Sequence, residues 1–288
     1  MNYCFGVDIG GTTVKIGLFE ETGTIVEKWE IPTNTLADGE AILPDIAFSL
    51  KTKIEERKLS EEDILGIGVG VPAPVTAEGI VNGSANLGWK YKEVKKEMEE
   101  LTGLKAYIGN DANVAALGEM WKGGGAGEKN MIMVTLGTGV GGGVIIDGKM
   151  LVGNNGAGGE IGHICVNYEE NDRCGCGNKG CLEQYASATG IVRLAEQKLK
   201  TEKRETILNK AAITAKDVFD AVKAGDEVAD EIAAEFGKYL GYGLANLAAV
   251  VNPAVFVIGG GVSKAGEVLI PYIDETVIKK ERFLQIKM

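Results

Sequence analysis

Two stretches of similar pattern stand at the head of the two halves of the chain: VDIGGTTVKIGLF at residues 7–19 and VTLGTGVGGGVII at residues 134–146. Each reads as a strand, a glycine turn and a second strand, which is the pattern of a β-hairpin. A repeat of one supersecondary unit predicts two similarly built domains that face each other across a cleft. We therefore expect an N-terminal α/β domain at 1–116 and a C-terminal α/β domain at 117–288.

The rest of the chain alternates between strand and helix patterns. Apolar residues at helical spacing mark amphipathic helices, whereas short apolar runs bounded by glycine mark strands. A long irregular segment at 148–184 interrupts the alternation, helices dominate 184–251, and a last strand, a glycine turn and a helix are expected at 254–269. We predict the other strands at 3–9, 13–20, 24–31, 64–71, 105–109, 131–136 and 142–147 and the other helices at 40–58, 91–103 and 110–121.

Composition excludes several classes of protein. The chain has 288 residues with a net charge of −11, and this acidic balance is unsuited to nucleic acid because phosphate binding needs a basic surface. Neither a signal peptide nor a membrane-spanning run of apolar residues is visible, so we expect a cytoplasmic protein without a membrane partner. Glycine makes up 42 residues, about twice the average share, which indicates loops where the backbone closely approaches a ligand.

The glycine turns predict phosphate binding. Residues 137–142, GTGVGG, satisfy the dinucleotide-binding pattern, but a strand and not a helix follows, so we reject that interpretation. Backbone N–H groups of paired glycine turns form anion-binding concavities, although each turn alone is equally typical of a plain hairpin. Asp8, at the end of the first strand, is a natural holder of a Mg²⁺ ion that bridges phosphates.

Asp111 is the candidate general base. It lies where a strand ends and a helix begins, and the helix dipole there favours the ionised form that accepts a hydroxyl proton. On its own, the sequence NDAN at 110–113 is more typical of a plain helix N-cap than of a catalytic site.

One histidine and three cysteines predict a structural zinc site. Three thiolates and one imidazole complete a tetrahedral Zn²⁺ shell that leaves no position for water, and such closed sites are structural. The alternative is three free thiols in one loop, which would be exposed to oxidation. Cys4 and Cys165 lie in strand-like apolar runs and are interpreted as buried thiols. The predicted ligands are His163, Cys174, Cys176 and Cys181.

These motifs together resemble the ROK family of sugar kinases, and within it the bacterial glucokinases. DIGGT, LGTGVGGG and VIGGG resemble the two phosphate motifs and the adenosine motif of the actin-like ATPase fold, which is related to the ribonuclease H fold. GAGGEIGH at 156–163 and CGCGNKGCLEQYAS at 174–187 resemble the signature of the family.

The resemblance implies a role for each matched residue. Asp111 would be the general base, and Asn86, Asn110, Asp111, Glu160, His163 and Glu183 would contact the sugar. Without the resemblance, Glu160 and Glu183 would be interpreted as surface charges. The residues implied in ATP and Mg²⁺ binding are Asp8, Gly10, Gly11, Thr12, Thr13, Lys15, Gly137, Thr138, Gly139, Gly259, Gly260 and Gly261.

The implied activity is ATP-dependent phosphorylation of a hexose at the 6-hydroxyl, with glucose as the expected substrate. The alternatives are an N-acetylmannosamine or N-acetylglucosamine kinase, a fructokinase, a polyphosphate-dependent kinase, or a non-catalytic, sugar-responsive regulator. The family also implies a homodimer or homotetramer. Its members continue into a further strand and helix, which we expect this chain to lack.

Overall fold

The computed structural model describes residues 2–209, 211–277 and 285–287, and these form two five-stranded mixed sheets with helices. The strands are β1 (Tyr3–Ile9), β2 (Thr13–Glu20), β3 (Ile25–Pro32), β4 (Ile64–Val71), β5 (Ala106–Asn110), β6 (Met131–Leu136), β7 (Val140–Ile146), β8 (Lys149–Met150), β9 (Val255–Gly259) and β10 (Gln285–Lys287). The α-helices are α1 (Leu36–Gly39), α2 (Ile42–Arg57), α3 (Val94–Thr102), α4 (Asp111–Lys122), α5 (Glu183–Ala186), α6 (Ala188–Leu199), α7 (Ala215–Lys223), α8 (Glu227–Val251) and α9 (Ile270–Val277). The 3-10 helices are Glu61–Asp63, Ile161–His163 and Val262–Leu269.

The two sheets repeat one topology. The first has the order β3-β2-β1-β4-β5, and the second, read from its opposite edge, has the order β8-β7-β6-β9-β10. In each sheet the first three strands of this order are antiparallel and the remaining pairs are parallel. The hairpin that recurs in the sequence is therefore the beginning of a complete structural repeat.

The backbone gathers into two compact units. The first comprises Met1–Ala115 together with Val152–Gly158, and the second comprises Ala116–Leu151 together with Gly159–Met288. Residues 152–158 thus belong to the first unit although they follow the second hairpin in the chain. The division into domains at 1–116 and 117–288 stays a prediction.

Alternation along β1 separates the core of the first unit from its candidate chemistry. Phe5, Val7 and Ile9 are buried and pack with apolar residues of α2 and β4, whereas Asp8 between them is exposed. Because successive side chains of a strand point to opposite faces, Asp8 lies on the face away from this core.

In the second unit the central strand is buried on both faces. Ile132, Val134 and Leu136 of β6 pack in one apolar cluster with helices α6 to α8, and Met131 and Met133 pack in another. Burial on both faces explains why this strand is a continuous apolar run and not an alternating one.

Three details differ from the sequence-based prediction. Residues 262–269 form a 3-10 helix with a break at Gly266, where φ is +80°, before α9 begins. The strand at 255–259 is not the last, because β10 pairs with it in parallel. The segment predicted as irregular contains the short strand β8 and the 3-10 helix Ile161–His163. No helix in the described part of the chain is both long enough and apolar enough to cross a membrane.

Candidate active site and metal-binding cluster

The first glycine turn joins β1 to β2 and is held by two hydrogen bonds. The Gly10 N–H donates to the Thr13 carbonyl at 3.1 Å, and the Thr33 hydroxyl donates to the Gly10 carbonyl at 2.7 Å. A Cβ on Gly10 would lie 2.8 Å from the Thr13 carbonyl oxygen, so the turn requires glycine there. Gly11 and Thr12 at its tip are exposed, which leaves the turn open to a ligand.

Asp8, Lys15 and Asp111 lie at one end of the first sheet, on or directly after β1, β2 and β5. Asp8 faces Lys15 across the β1–β2 ladder and Gly70 across the β1–β4 ladder. A Cβ on Gly70 would lie 3.5 Å from the Asp111 Cα, so this glycine gives the start of α4 room beside the strand that carries Asp8. The sequence predicts each residue separately, and the sheet brings the two carboxylates near each other.

Desolvation is the main influence on the Asp111 carboxyl and raises its pKa above the ordinary value. The negative charge of Asp8 acts in the same direction, because ionising a second carboxyl beside it costs energy. Two hydrogen bonds to Oδ1 oppose the shift: the Ala112 N–H donates at 2.8 Å and the Asn110 side chain donates at 3.0 Å. A positioned carboxylate with a raised pKa has the properties of a proton acceptor.

The asparagines around Asp111 fix the start of α4. The Asn110 side-chain amide donates to the Ala73 carbonyl at 3.3 Å, and its Oδ1 accepts from the Asn113 N–H at 3.1 Å. Sequence reasoning missed Asn113, which is only 6% exposed and whose Oδ1 has no hydrogen-bond partner among the described residues.

Asn86 lies beside the first turn, because a Cβ on Gly11 would be 3.7 Å from the Asn86 Cβ.

The second glycine turn joins β6 to β7 and is tied to the start of α6. The Gly137 N–H donates to the Gly139 carbonyl at 2.9 Å. The Ala188 N–H donates to the Gly137 carbonyl at 2.8 Å, and the Thr189 hydroxyl donates to the Thr138 carbonyl at 2.7 Å. The strand β7 that follows this turn confirms that the dinucleotide-binding interpretation was correctly rejected.

Glu183 reaches this turn from the cysteine-containing loop. Its Oε2 accepts a hydrogen bond from the Val140 N–H at 3.0 Å, and its Oε1 lies 3.6 Å from the Cys174 sulfur. A Cβ on Gly139 would lie 2.2 Å from Oε2, so only glycine at 139 leaves room for this carboxylate. The family resemblance implies a sugar contact for Glu183, but the sequence contains no signal for its contact with the turn.

The third glycine turn follows β9 and borders a cavity of about 390 Å³. Gly260 has a φ of +90°, and a Cβ there would lie 2.6 Å from the Leu136 carbonyl oxygen, so glycine is required. Gly259 ends β9, and Gly261 is followed directly by the 3-10 helix. The residues that line the cavity include Ala188, Thr214, Phe219, Gly261, Val262 and Lys264.

The four predicted metal ligands lie together. One ligand atom from each of His163, Cys174, Cys176 and Cys181 falls within 4.8 Å of all the others. The sulfurs of Cys176 and Cys181 are 3.6 Å apart, and the Cys174 sulfur is 3.7 Å from the His163 Nδ1. A tetrahedral Zn²⁺ with bonds of about 2.3 Å to sulfur places its ligand atoms about 3.8 Å apart, so the donor set fits a zinc ion.

The surroundings of the three thiols shift their pKa values in different directions. Burial raises the pKa of Cys174 and raises that of Cys181 to about 12. Burial acts in the same direction on Cys176, but hydrogen bonds from the Asn178 N–H and from Cys181 outweigh it and lower its pKa. Three neighbouring thiols cannot all ionise unless a cation offsets their charge.

Glu160 and His163 are two predicted sugar contacts at the metal-binding cluster, and His163 is also one of the metal ligands. Glu160 is exposed, and its carbonyl accepts the His163 N–H at 3.1 Å at the start of the 3-10 helix Ile161–His163. The His163 Nδ1 is the nitrogen beside Cys174, so Nε2 is left for another partner.

The sequence predicts that Cys4 and Cys165 are buried thiols. The structure differs, because both are only half-buried.

A polar network anchors the cysteine-containing loop to the helices behind it. Glu170 accepts hydrogen bonds from Tyr185 and, at 2.6 Å, from Arg193, while the Gln184 side chain donates to the Asp172 carbonyl at 3.1 Å. Burial of the Glu170 carboxylate raises its pKa, but these donors and the Arg193 charge outweigh it and lower the pKa to about 2. Sequence reasoning missed this network because its members lie far apart in the chain.

Comparison with known proteins gives the relatives of this chain. A glucokinase of Halalkalibacterium halodurans is 47% identical over 276 residues, which cover 94% of this chain and 83% of the relative. A xylose repressor of Caldicellulosiruptor bescii is 31% identical, over 97% of this chain and 70% of the repressor. A crystal structure of a ROK family glucokinase from Streptomyces griseus, in complex with glucose and AMPPNP, has a TM-score of 0.78 at 32% identity, and the match covers 99% of this chain and 94% of that one.

The structural match confirms the fold class expected from the sequence, the α/β actin-like ATPase fold with two sheets. The sequence model of the ROK family matches residues 4–282, which is nearly the whole chain. Together with the relatives that share a third to a half of its residues, this match shows that the chain belongs to the ROK family.

Proposed function

We propose that this protein is a glucokinase that transfers the γ-phosphoryl group of ATP to the 6-hydroxyl of glucose. The observation that carries the proposal is Asp111, a hydrogen-bonded carboxylate with a raised pKa beside Asp8, in a chain 47% identical to a glucokinase. Transfer of a phosphoryl group is mostly positioning and charge stabilisation, and it needs one group to accept the hydroxyl proton.

We assign Asp111 as the group that accepts the proton of the 6-hydroxyl. Its Oδ1 is already engaged by Ala112 and Asn110, so the orientation of the carboxyl is set before substrate binds. The raised pKa brings the proton affinity of the carboxylate closer to neutral pH, which strengthens a general base as long as the group stays ionised at working pH.

The turns of the two hairpins are assigned to the phosphates of ATP, and the turn at Gly259, Gly260 and Gly261 with its cavity is assigned to the nucleoside. A bound Mg²⁺ would neutralise charge on the phosphates during transfer. Asp8 is the residue that would hold it, because its exposed carboxylate stands beside the first turn, and Lys15 opposite it supplies a positive charge.

Polar side chains are assigned to the sugar hydroxyls. In the first unit we assign Asn86 and Asn110 to this role beside Asp111. In the second unit we assign Glu160, Glu183 and the free Nε2 of His163. The proximity of Asn86 to the first turn and of Glu183 to the second supports these assignments.

Zinc is proposed as a structural ion held by His163, Cys174, Cys176 and Cys181. The four donors would fill a tetrahedral shell, so the ion would not bind the reacting groups. Zinc binding contributes directly to folding free energy, and it would order the loop from which Glu183 reaches the second turn.

A second candidate is a sugar-responsive regulator without catalysis, because a xylose repressor is among the relatives. Kinases for N-acetylmannosamine, N-acetylglucosamine or fructose are the alternatives within the enzyme class. Cytoplasmic location and a homodimeric or homotetrameric state stay predictions.

A coupled assay with ATP and a panel of hexoses tests the proposal. We expect glucose to be the best acceptor and Asp111→Asn to lower kcat by about 10²- to 10⁴-fold, the range that a general base contributes. Asp45→Asn, an exposed aspartate of α2, is the matched control and should leave kcat unchanged. Equal turnover by Asp111→Asn and wild type would refute the base assignment. Sugar binding without turnover of any hexose would favour the regulator.

A further inference from the structure

Cys165 is a fourth cysteine beside the metal cluster that the proposed zinc shell does not use. It lies two residues after His163, in an extended segment that pairs with the segment containing Cys181. The Val166 N–H donates to the Gly180 carbonyl at 2.7 Å, and the Leu182 N–H donates to the Ile164 carbonyl at 2.9 Å. These bonds flank Cys165 and Cys181 and bypass both of them, so the two cysteines form a non-hydrogen-bonded antiparallel pair.

Such a pair has the dimensions of a disulfide. Its Cα atoms lie about 4.5 Å apart and its side chains project from the same face, while disulfides join Cα atoms about 4.4 to 6.8 Å apart. The Cys165 sulfur lies 3.2 Å from the position that a Cβ on Gly180 would occupy, directly against the segment that contains Cys181. Cys165 is half-buried, so a small oxidant can reach it, whereas Cys181 is buried.

A disulfide at this pair is incompatible with the proposed zinc shell. Cys181 is one of the four candidate ligands, and its sulfur is 3.6 Å from that of Cys176. Only a thiolate is a zinc ligand of this kind, so a Cys181 sulfur bonded to Cys165 leaves the shell with three donors.

We propose that Cys165 and Cys181 form a reversible disulfide that displaces the metal from the cysteine cluster, an inference that rests on the proposed zinc site. The oxidant is a peroxide such as H₂O₂. The Cys165 thiolate attacks one peroxide oxygen, an S–O bond forms, the O–O bond breaks and hydroxide leaves, so sulfur is oxidised to the sulfenic acid and the peroxide is reduced.

In the second step the Cys181 thiolate attacks the Cys165 sulfur. The S–S bond forms, the S–O bond breaks, and the departing hydroxide takes a proton to give water. Overall, two thiols and one H₂O₂ give one disulfide and two water molecules. A thiol reductant reverses the reaction by exchange and regenerates the Cys181 ligand.

Loss of the metal would also affect the second glycine turn, through Glu183. Glu183 follows Cys181 by two residues and accepts the Val140 N–H at 3.0 Å. Loss of the metal would release the loop that positions this carboxylate.

The test uses the full chain, reduced and loaded with Zn²⁺, treated with increasing H₂O₂. Free zinc is followed with a chromogenic chelator, and disulfides are mapped by mass spectrometry of peptides after alkylation without reduction. We expect zinc release to accompany a peptide that links Cys165 to Cys181, and dithiothreitol to reverse both. Cys165→Ser should keep its zinc at the dose that empties wild type. Cys4→Ser, which changes the other half-buried cysteine, should behave as wild type.

Zinc loss at the same dose from Cys165→Ser, or disulfides only among Cys174, Cys176 and Cys181, would overturn the proposal. If the reduced protein binds no zinc at all, the metal assignment fails, and the mapped disulfide in the metal-free chain still decides whether Cys165 and Cys181 pair.

Discussion

Gly139→Ala in the second glycine turn is expected to weaken glucose binding, although we assign that turn to ATP phosphates. The backbone of Gly139 does not have a positive φ, so alanine introduces no backbone strain. The new Cβ would lie 2.2 Å from Glu183 Oε2, and real contacts of this kind are essentially never shorter than 3.0 Å. The carboxylate must therefore move by about 0.8 Å and give up its present position.

The magnitude follows from the hydrogen bond that this movement breaks. Glu183 Oε2 accepts the Val140 N–H at 3.0 Å, and a hydrogen bond to a charged group contributes about 1.5 to 3 kcal/mol. That free energy sets the upper bound of the effect, about a 10- to 150-fold decrease in kcat/KM for glucose, because Glu183 Oε2 is the end of a flexible side chain that can move aside. Because Glu183 is assigned to the sugar, we expect KM for glucose to rise more than KM for ATP.

Steady-state kinetics with glucose and ATP varied separately measures this effect, and calorimetry gives the dissociation constant of glucose. Gly137→Ala is the matched control, because a Cβ there meets nothing nearer than the Gly139 carbonyl oxygen at 3.9 Å, and its KM for glucose should stay within about twofold. In a Glu183→Ala background the added methyl meets no carboxylate, so Gly139→Ala should cost almost nothing further. Equal losses in both backgrounds, or equal effects at 137 and 139, would refute the steric coupling.

Three further predictions follow from the same sites. The acid limb of kcat/KM against pH should lie above 3.8, the ordinary pKa of an aspartate, because the pKa of Asp111 is raised. The folded state holds the Asp111 proton more tightly than the unfolded chain, so this carboxyl lowers stability as pH rises through its raised pKa. Asp111→Asn should therefore raise Tm at pH 7 while it lowers kcat. Metal analysis should find about one zinc ion per chain in wild type and in Cys4→Ser, and none in Cys176→Ala. Cys176→Ala should also be less stable than wild type by several kcal/mol in chemical denaturation. A metal-free wild type would contradict the site. Gly260→Ala places a Cβ 2.6 Å from the Leu136 carbonyl oxygen at a φ of +90°, so it should unfold the second unit or lower Tm strongly. In Gly261→Ala the new Cβ meets nothing within 4 Å, so this control should fold as wild type. Equal Tm values for the two variants would contradict this packing.

Local sequence pattern was sufficient for most of the elements that carry the candidate site. The hairpins at 3–20 and 131–146 were predictable because apolar alternation and a glycine turn act over a few residues. The end of α3 was predictable for the same reason, since Gly103 adopts the left-handed conformation that glycine favours there. The strand that leads directly into Asp111 was likewise apparent from the sequence.

Contacts between distant residues were not predictable in this way. Glu183 and Val140 are 43 residues apart, and nothing in either segment indicates that a carboxylate fills the space left by Gly139. The pairing of β10 with β9 and the membership of residues 152–158 in the first unit also depend on where the chain returns in space.

The sequence by itself determined which residues are available for chemistry: the glycine turns, the strand end at Asp111 and the four metal donors, because each depends on residue type and short-range spacing. Only the tertiary structure decided their electrostatics and their partners. The raised pKa of Asp111 comes from desolvation and from Asp8 on another strand, and the opposition of Cys165 to Cys181 comes from backbone pairing of two separate segments. Burial and strand pairing are properties of the folded chain as a whole, so they do not appear in any local pattern.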